Sequence, residues 1–120
     1  MNCFTTLATL LALVLGVGCG KKASSDSESP LGFARDIKDI MASYCFECHG
    51  VKNKEAELDL RTVESILAGG ESGPAIVSGK PDESILFEMI HDEQMPPEGK
   101  MPGANDIERV RQWIASGAKP

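Results

Sequence analysis

The sequence predicts a small all-α domain of about four short helices, and three observations carry that expectation. Apolar residues recur at three- and four-residue spacing in four separate stretches, no stretch shows the alternation of a half-buried strand, and Gly, Pro and capping residues fall where such helices would begin and end. The first stretch runs from Phe33 to Tyr44, with Phe33, Ile37, Ile40, Met41 and Tyr44 on one face and Arg35, Asp36, Lys38 and Asp39 on the other. The second follows Thr62 as N-cap, carries Val63, Ile66 and Leu67, and stops at Gly69 and Gly70. The third is expected to start at Asp82 as N-cap, after Pro81, and to turn Ile85, Leu86, Met89 and Ile90 inward. The last is expected from Asn105 to Gly117, with Ile107, Val110, Trp113 and Ile114 inward and Glu108, Arg109, Arg111 and Gln112 toward water. The first and last helices should pack across each other, and no internal repeat is visible.

Ahead of these helices the composition changes twice. Phe4 to Val17 is almost continuously apolar and uncharged, yet shorter than the roughly 20 residues a membrane-spanning helix needs, so it reads as the core of an export signal. It ends in Leu15, Gly16, Val17, Gly18 and Cys19, followed by Gly20, Lys21 and Lys22, which resembles a bacterial lipoprotein signal. That resemblance implies lipidation of Cys19 as the new N-terminus. Gly20 to Ser29 then holds Lys, Ser, Asp and Glu with no large apolar side chain, a composition that cannot bury enough surface to fold. The expected organisation is a signal peptide at 1–18, an anchor cysteine and flexible tether at 19–30, and one folded domain at 31–120. The chain is expected on the periplasmic side of a bacterial membrane, held there by its lipid.

That domain has few aromatic side chains, Phe33, Tyr44, Phe46, Phe87 and Trp113. A domain of this size is marginal unless a disulfide, a metal or a cofactor completes its core. The run Cys45, Phe46, Glu47, Cys48, His49 supplies the means. Two thiols at this spacing can each add to one vinyl group of haem, and the histidine that follows is placed to ligate the iron. A thioredoxin-like pair would want a βαβ surround, and a zinc site would want a second pair of soft ligands. The other cysteines, Cys3 and Cys19, lie in the leader, and the other histidine is His91. The residues therefore point to one covalent haem c. The net charge of −6 makes nucleic acid an unsuitable partner.

A sixth iron ligand must come from elsewhere, and Met95 is preferred. Its thioether is a soft ligand, and Pro96 and Pro97 restrict the backbone on which it is carried. Met101, before Pro102, and His91 are competitors, and an open sixth position is the remaining possibility. Met41 and Met89 read as core filling. Arg61, beside the apolar Leu58 to Leu60 stretch, is a candidate partner for a haem propionate; Lys80 is a weaker one and reads more simply as a solvated charge. No nucleophile with a base, no phosphate loop and no carboxylate cluster points to chemistry other than that of haem.

Taken in order, Cys45 to Gly50, Leu58 to Thr62, Gly73 to Val77, Lys80 to Ser84, Met95 to Pro97, and Trp113, Ile114, Gly117 and Ala118 resemble the planctomycete-type cytochrome c domain. The resemblance implies a monohaem class I cytochrome c fold, with His49 and Met95 as axial ligands. The function expected is one-electron transfer between redox partner proteins, without a small-molecule substrate and not as an enzyme. A gas or redox sensor, or a peroxidase, is the alternative if the sixth position is open.

Overall fold

The structure, a computed structural model, describes residues 30–120; the signal segment, Cys19 and the tether lie outside the described residues. As expected, the architecture is all-α. One turn of π-helix, Phe33–Ile37, continues into α1, Lys38–Tyr44; α2 is Val63–Ala68, α3 is Ile85–His91 and α4 is Ala104–Ala115. Short 3-10 turns at Glu55–Glu57 and Pro81–Glu83 interrupt the connecting loops. Among the described residues β-type pairing is limited to isolated bridges, Gly32 with Lys119, His49 with Lys54 and Gly70 with Gly73.

The core forms where the apolar faces of the first and last helices cross. Ile37, Met41, Val110, Trp113 and Ile114 are buried, and the Phe33 and Trp113 rings lie 5.6 Å apart, tilted by 45°. Such a tilt suits the ring quadrupoles better than a flat sandwich does. Trp113 Nε1 donates to the Lys119 carbonyl at 2.8 Å, and the Phe33 N–H donates to that same oxygen at 2.9 Å. One carbonyl thus satisfies a buried indole and a helix-start N–H, and it ties the C-terminal strap to both helices. Gly32 N–H donates to the Asp36 carboxylate at 2.8 Å, closing the first turn from within.

The second helix begins as expected. Thr62 Oγ1 accepts from Ser65 N–H at 3.1 Å, and Ser65 Oγ accepts from Thr62 N–H at 3.3 Å, a reciprocal cap. The helix ends at Gly69, whose φ of 74° lies in the left-handed region; a Cβ there would collide with the Gly73 carbonyl. Of the apolar residues it carries, Val63 and Ile66 are buried and Leu67 is exposed.

The third helix departs from expectation at its start. Asp82 is not its N-cap but lies inside the 3-10 turn, and the helix proper begins at Ile85 after Ser84. Ser84 is buried, accepting from Val77 N–H at 2.9 Å and donating to the Lys80 carbonyl at 2.8 Å. Its hydroxyl therefore stitches the preceding loop and leaves its own helix uncapped. The inward face is also shifted: Leu86, Phe87 and Ile90 are buried, while Ile85 and Met89 turn to a neighbouring cleft. The fourth helix starts one residue before the expected Asn105 and is followed by the turn through Gly117.

The loop from Gly50 to Thr62 has its own ionic lock. Asp59 accepts from Arg61 Nε at 3.0 Å, from Arg61 Nη2 at 2.7 Å and from the Arg61 backbone N–H at 3.0 Å, with Lys54 Nζ at 3.3 Å. These bonds, the Arg61 fork foremost, hold the Asp59 carboxyl well below the usual carboxylate range. A depressed folded-state pKa contributes stability that is present above the unfolded value of about 3.9 and is lost as pH falls below it. Asp59→Asn should therefore cost about 1 kcal/mol at pH 7, discounted for the partial exposure of Arg61. Denaturant titrations of both proteins should show that difference shrinking as pH drops below about 4. A difference that stays constant from pH 7 to pH 3 would refute the ionic origin.

Candidate functional site

The last turn of the first helix delivers the site. Cys45 N–H donates to the Met41 carbonyl at 2.8 Å, and His49 N–H donates to the Cys45 carbonyl at 2.8 Å. Residues 45–49 therefore continue one helical turn beyond α1, which brings Cys45, Cys48 and His49 to one cleft. The following loop clamps this turn from outside. Leu60 N–H donates to the His49 carbonyl at 3.0 Å, Glu55 N–H to the Cys48 carbonyl at 2.9 Å, and Asn53 Nδ2 to the Glu47 carbonyl at 3.0 Å. Gly50 allows the closing bend, because a Cβ there would collide with the Phe46 carbonyl.

The cleft holds ≈ 1070 Å³ of empty space, counting its open mouth. Its walls are mainly apolar, with Ile40, Leu58, Leu60, Ala75, Leu86 and Ile90 prominent. Such walls have the character of a site for an apolar cofactor. His49 Nδ1 is buried without a hydrogen-bond partner. An orphaned imidazole nitrogen beside two thiols in an apolar cleft fits haem, whose iron takes the imidazole and whose vinyl groups take the thiols. Burial, with the Cys48 thiol as the smaller cause, pushes the Cys45 thiol up to about 11. Such a thiol is a poor thiolate nucleophile at neutral pH, which disfavours a dithiol exchange site. Among the described residues no cluster of three His, Cys, Asp or Glu side chains could hold a metal ion, which disfavours zinc.

The candidates for the sixth position separate clearly. Met95 lines the cleft and is 37 % exposed. Its N–H and that of Gln94 both donate to the Met89 carbonyl, at 3.0 Å and 2.8 Å, so the start of its loop is fixed to the end of α3. Met101 is half-buried but does not line the cleft, although its neighbour Pro102 does. His91 sits in a separate groove, with Nδ1 2.9 Å from Asp92 Oδ1 and its ring 5.4 Å from that of Phe87. Met41 fills the core, whereas Met89, also read as core filling, is half-buried on the cleft wall.

The two basic candidates for a haem carboxylate behave differently from the cysteines. Arg61 does not line the cleft, and its fork is occupied by Asp59. Lys80 pairs with Glu83 at 3.1 Å on the surface, the solvated role. In their place the cleft wall has residues the sequence reading left unassigned. Tyr44 lines it, donating to Asp106 Oδ2 at 3.1 Å, with Lys100 Nζ 5.8 Å from its ring centroid. The hydrogen bond to Asp106, followed by desolvation, holds the Tyr44 phenol above its usual range. The facing wall is the Gly70 to Gly73 turn, signalled in the sequence only by its glycines.

The family model of planctomycete cytochrome C matches residues 45–99, from the first cysteine of the motif to the end of the Met95 loop. No curated protein and no solved structure is matched by the chain. Together with the all-α architecture and the thiol- and imidazole-bearing cleft, the match supports a planctomycete-type cytochrome c domain at residues 45–99, which implies a covalently bound haem c.

Proposed function

We propose that this protein is a one-electron carrier on the periplasmic side of a bacterial membrane. Cys45 and Cys48 would hold haem through thioethers, and His49 and Met95 would supply ligands to its iron. The observation that supports this reading is that Cys45, Cys48, His49 and Met95 line one apolar cleft, whereas Met101 and His91 do not. Haem supplies a ferrous–ferric couple when bound. The chain's part is to hold both axial side chains, exclude water and substrate, and keep its own geometry nearly unchanged between redox states. His49 is held on the turn that the loop at 50–60 clamps, and Met95 on a loop fixed at the Met89 carbonyl. Filled axial positions favour outer-sphere transfer to a partner protein over catalysis at iron, and on that basis the protein is a carrier and not a peroxidase or a gas sensor.

The N-terminal segment completes the proposal. Export through the signal at 1–18 and lipidation of Cys19 would place the folded domain at 31–120 on a tether at 19–30. No described helix is long and apolar enough to cross a membrane.

Three measurements test this reading. Acid and organic-solvent extraction should leave haem on the wild-type polypeptide, and Cys45→Ala with Cys48→Ala should release it and leave a largely unfolded domain. Bare polypeptide mass for the wild type would end the covalent assignment. Met95→Ala should abolish the near-infrared sulfur-to-iron charge-transfer band, lower the midpoint potential within the roughly 0.8 V span set by axial ligands, and admit carbon monoxide. Met101→Ala and His91→Ala should leave all three properties unchanged; a wild-type protein that binds carbon monoxide readily moves the reading to a sensor or peroxidase. Cell fractionation should find the protein in membranes and a Cys19→Ser form soluble with the same haem spectrum, since stable anchoring takes two acyl signals at one terminus. Soluble wild-type protein with an unmodified N-terminus would remove the anchor.

A further inference from the structure

The mouth of the cleft has a charged lip and an apolar lip. On one side the turn Glu55–Glu57 and the segment 70–73 are tied together by Glu71 N–H donating to the Ala56 carbonyl at 2.8 Å. Ala56 and Glu71 both line the cleft, and Glu55 and Glu57 flank Ala56 in sequence. All three carboxylates are exposed, and among the described residues none makes an ion pair. The nearest cation in sequence, Lys54, is turned to Asp59 at 3.3 Å, and Lys100 stands over the Tyr44 ring. The other lip exposes apolar surface that the core has not absorbed: Ile85 is 37 % exposed, and Pro97, also on the cleft wall, is exposed.

We propose that this mouth is the docking face for a basic electron-transfer protein, one that presents Lys and Arg around an apolar redox edge, and that Glu55, Glu57 and Glu71 steer it. The inference rests on the electron-carrier reading and adds the chemistry of the partner. A neutral or acidic partner would have to approach three unpaired carboxylates at the contact itself, without compensation for desolvating them. A basic partner converts that cost into attraction, and the overall charge of −6 extends it beyond contact distance. Ile85 and Pro97 offer only a small dry contact, which suits the low-area, short-lived complexes of redox proteins.

The test uses the ferrous holoprotein and two one-electron oxidants of opposite charge, tris(phenanthroline)cobalt(III) and ferricyanide. Each accepts one electron from the ferrous protein, giving the ferric protein with the cobalt(II) complex or ferrocyanide, and no atom or proton moves. At low ionic strength the combined variant Glu55→Gln, Glu57→Gln and Glu71→Gln should slow the cationic oxidant by about 3- to 10-fold and speed ferricyanide, both effects fading with salt. A control with the same change of net charge, Asp39→Asn, Glu64→Gln and Glu88→Gln, alters carboxylates outside the cleft and should have less than half that effect on a logarithmic scale. A second readout needs no electron transfer: ferric protein labelled with nitrogen-15 is titrated with ferric mitochondrial cytochrome c, a strongly basic protein. Amide shifts should concentrate at 55–57, 70–73, 85 and 95 and vanish in the rim variant. Equal effects of rim and control variants, or amide shifts on another face, overturn the docking face. If the wild type lacks the sulfur-to-iron band or extractable haem leaves it, the carrier reading fails instead, so the two failures are distinguishable.

Discussion

The rest of the structure depends on one turn of backbone. His49 N–H bonded to the Cys45 carbonyl at 2.8 Å keeps two thiols and an imidazole together, and nearly every other feature either delivers that turn or holds it still. The crossing of the first and last helices fixes the direction from which the chain arrives, through Ile37, Met41 and Trp113. The loop at 50–60 returns three hydrogen bonds to the carbonyls of Glu47, Cys48 and His49, and Asp59 locks that loop through Arg61 and Lys54. The buried Nδ1 of His49 finds no partner among the described side chains and backbone, which leaves the ring to a ligand or an ordered water.

A haem protein of this size uses its cofactor as much for packing as for chemistry. Leu58, Leu60, Ala75, Leu86 and Ile90 line the cleft and also belong to the core or pack against it, so the cleft is a continuation of the core. Haem seated there and bonded to Cys45 and Cys48 contributes burial that the few aromatic side chains cannot. The same arrangement explains why Ile85 and Met89 turn away from the protein core while Phe87 turns toward it. The third helix serves two surfaces, and a reading that allowed only one inward face rotated it wrongly.

What was legible in the sequence divides along the same line. The heptad-like spacing of Ile37, Met41, Val110, Trp113 and Ile114 announced the helices that bury a single stripe, and these formed as expected. Thr62 and Gly69 announced the ends of α2, because capping and positive φ are local requirements that leave local marks. Asp82 misled because an acidic residue after proline suits a 3-10 turn as well as a helix start, and the deciding contact, Ser84 with Val77 and Lys80, is tertiary. At Arg61 the contact that forms is local: Asp59, two residues away, takes the guanidinium in a bidentate fork. Tyr44 and Glu71 carried no motif at all, and only the fold brings them to the cleft.

The ends of the chain add a last geometric consequence. The Lys119 carbonyl binds Phe33 N–H and Trp113 Nε1, so the N-terminal start of the domain and its C-terminal strap are fixed together at one end of the first helix. Cys45 leaves the other end. With about 1.5 Å of rise per residue, the segment Phe33 to Tyr44 separates the two by about 18 Å. A membrane anchor at the N-terminus would therefore hold the domain from the end opposite the cysteines. The length of the first helix thus sets how far the turn of Cys45 to His49 stands from the start of the domain at Leu31.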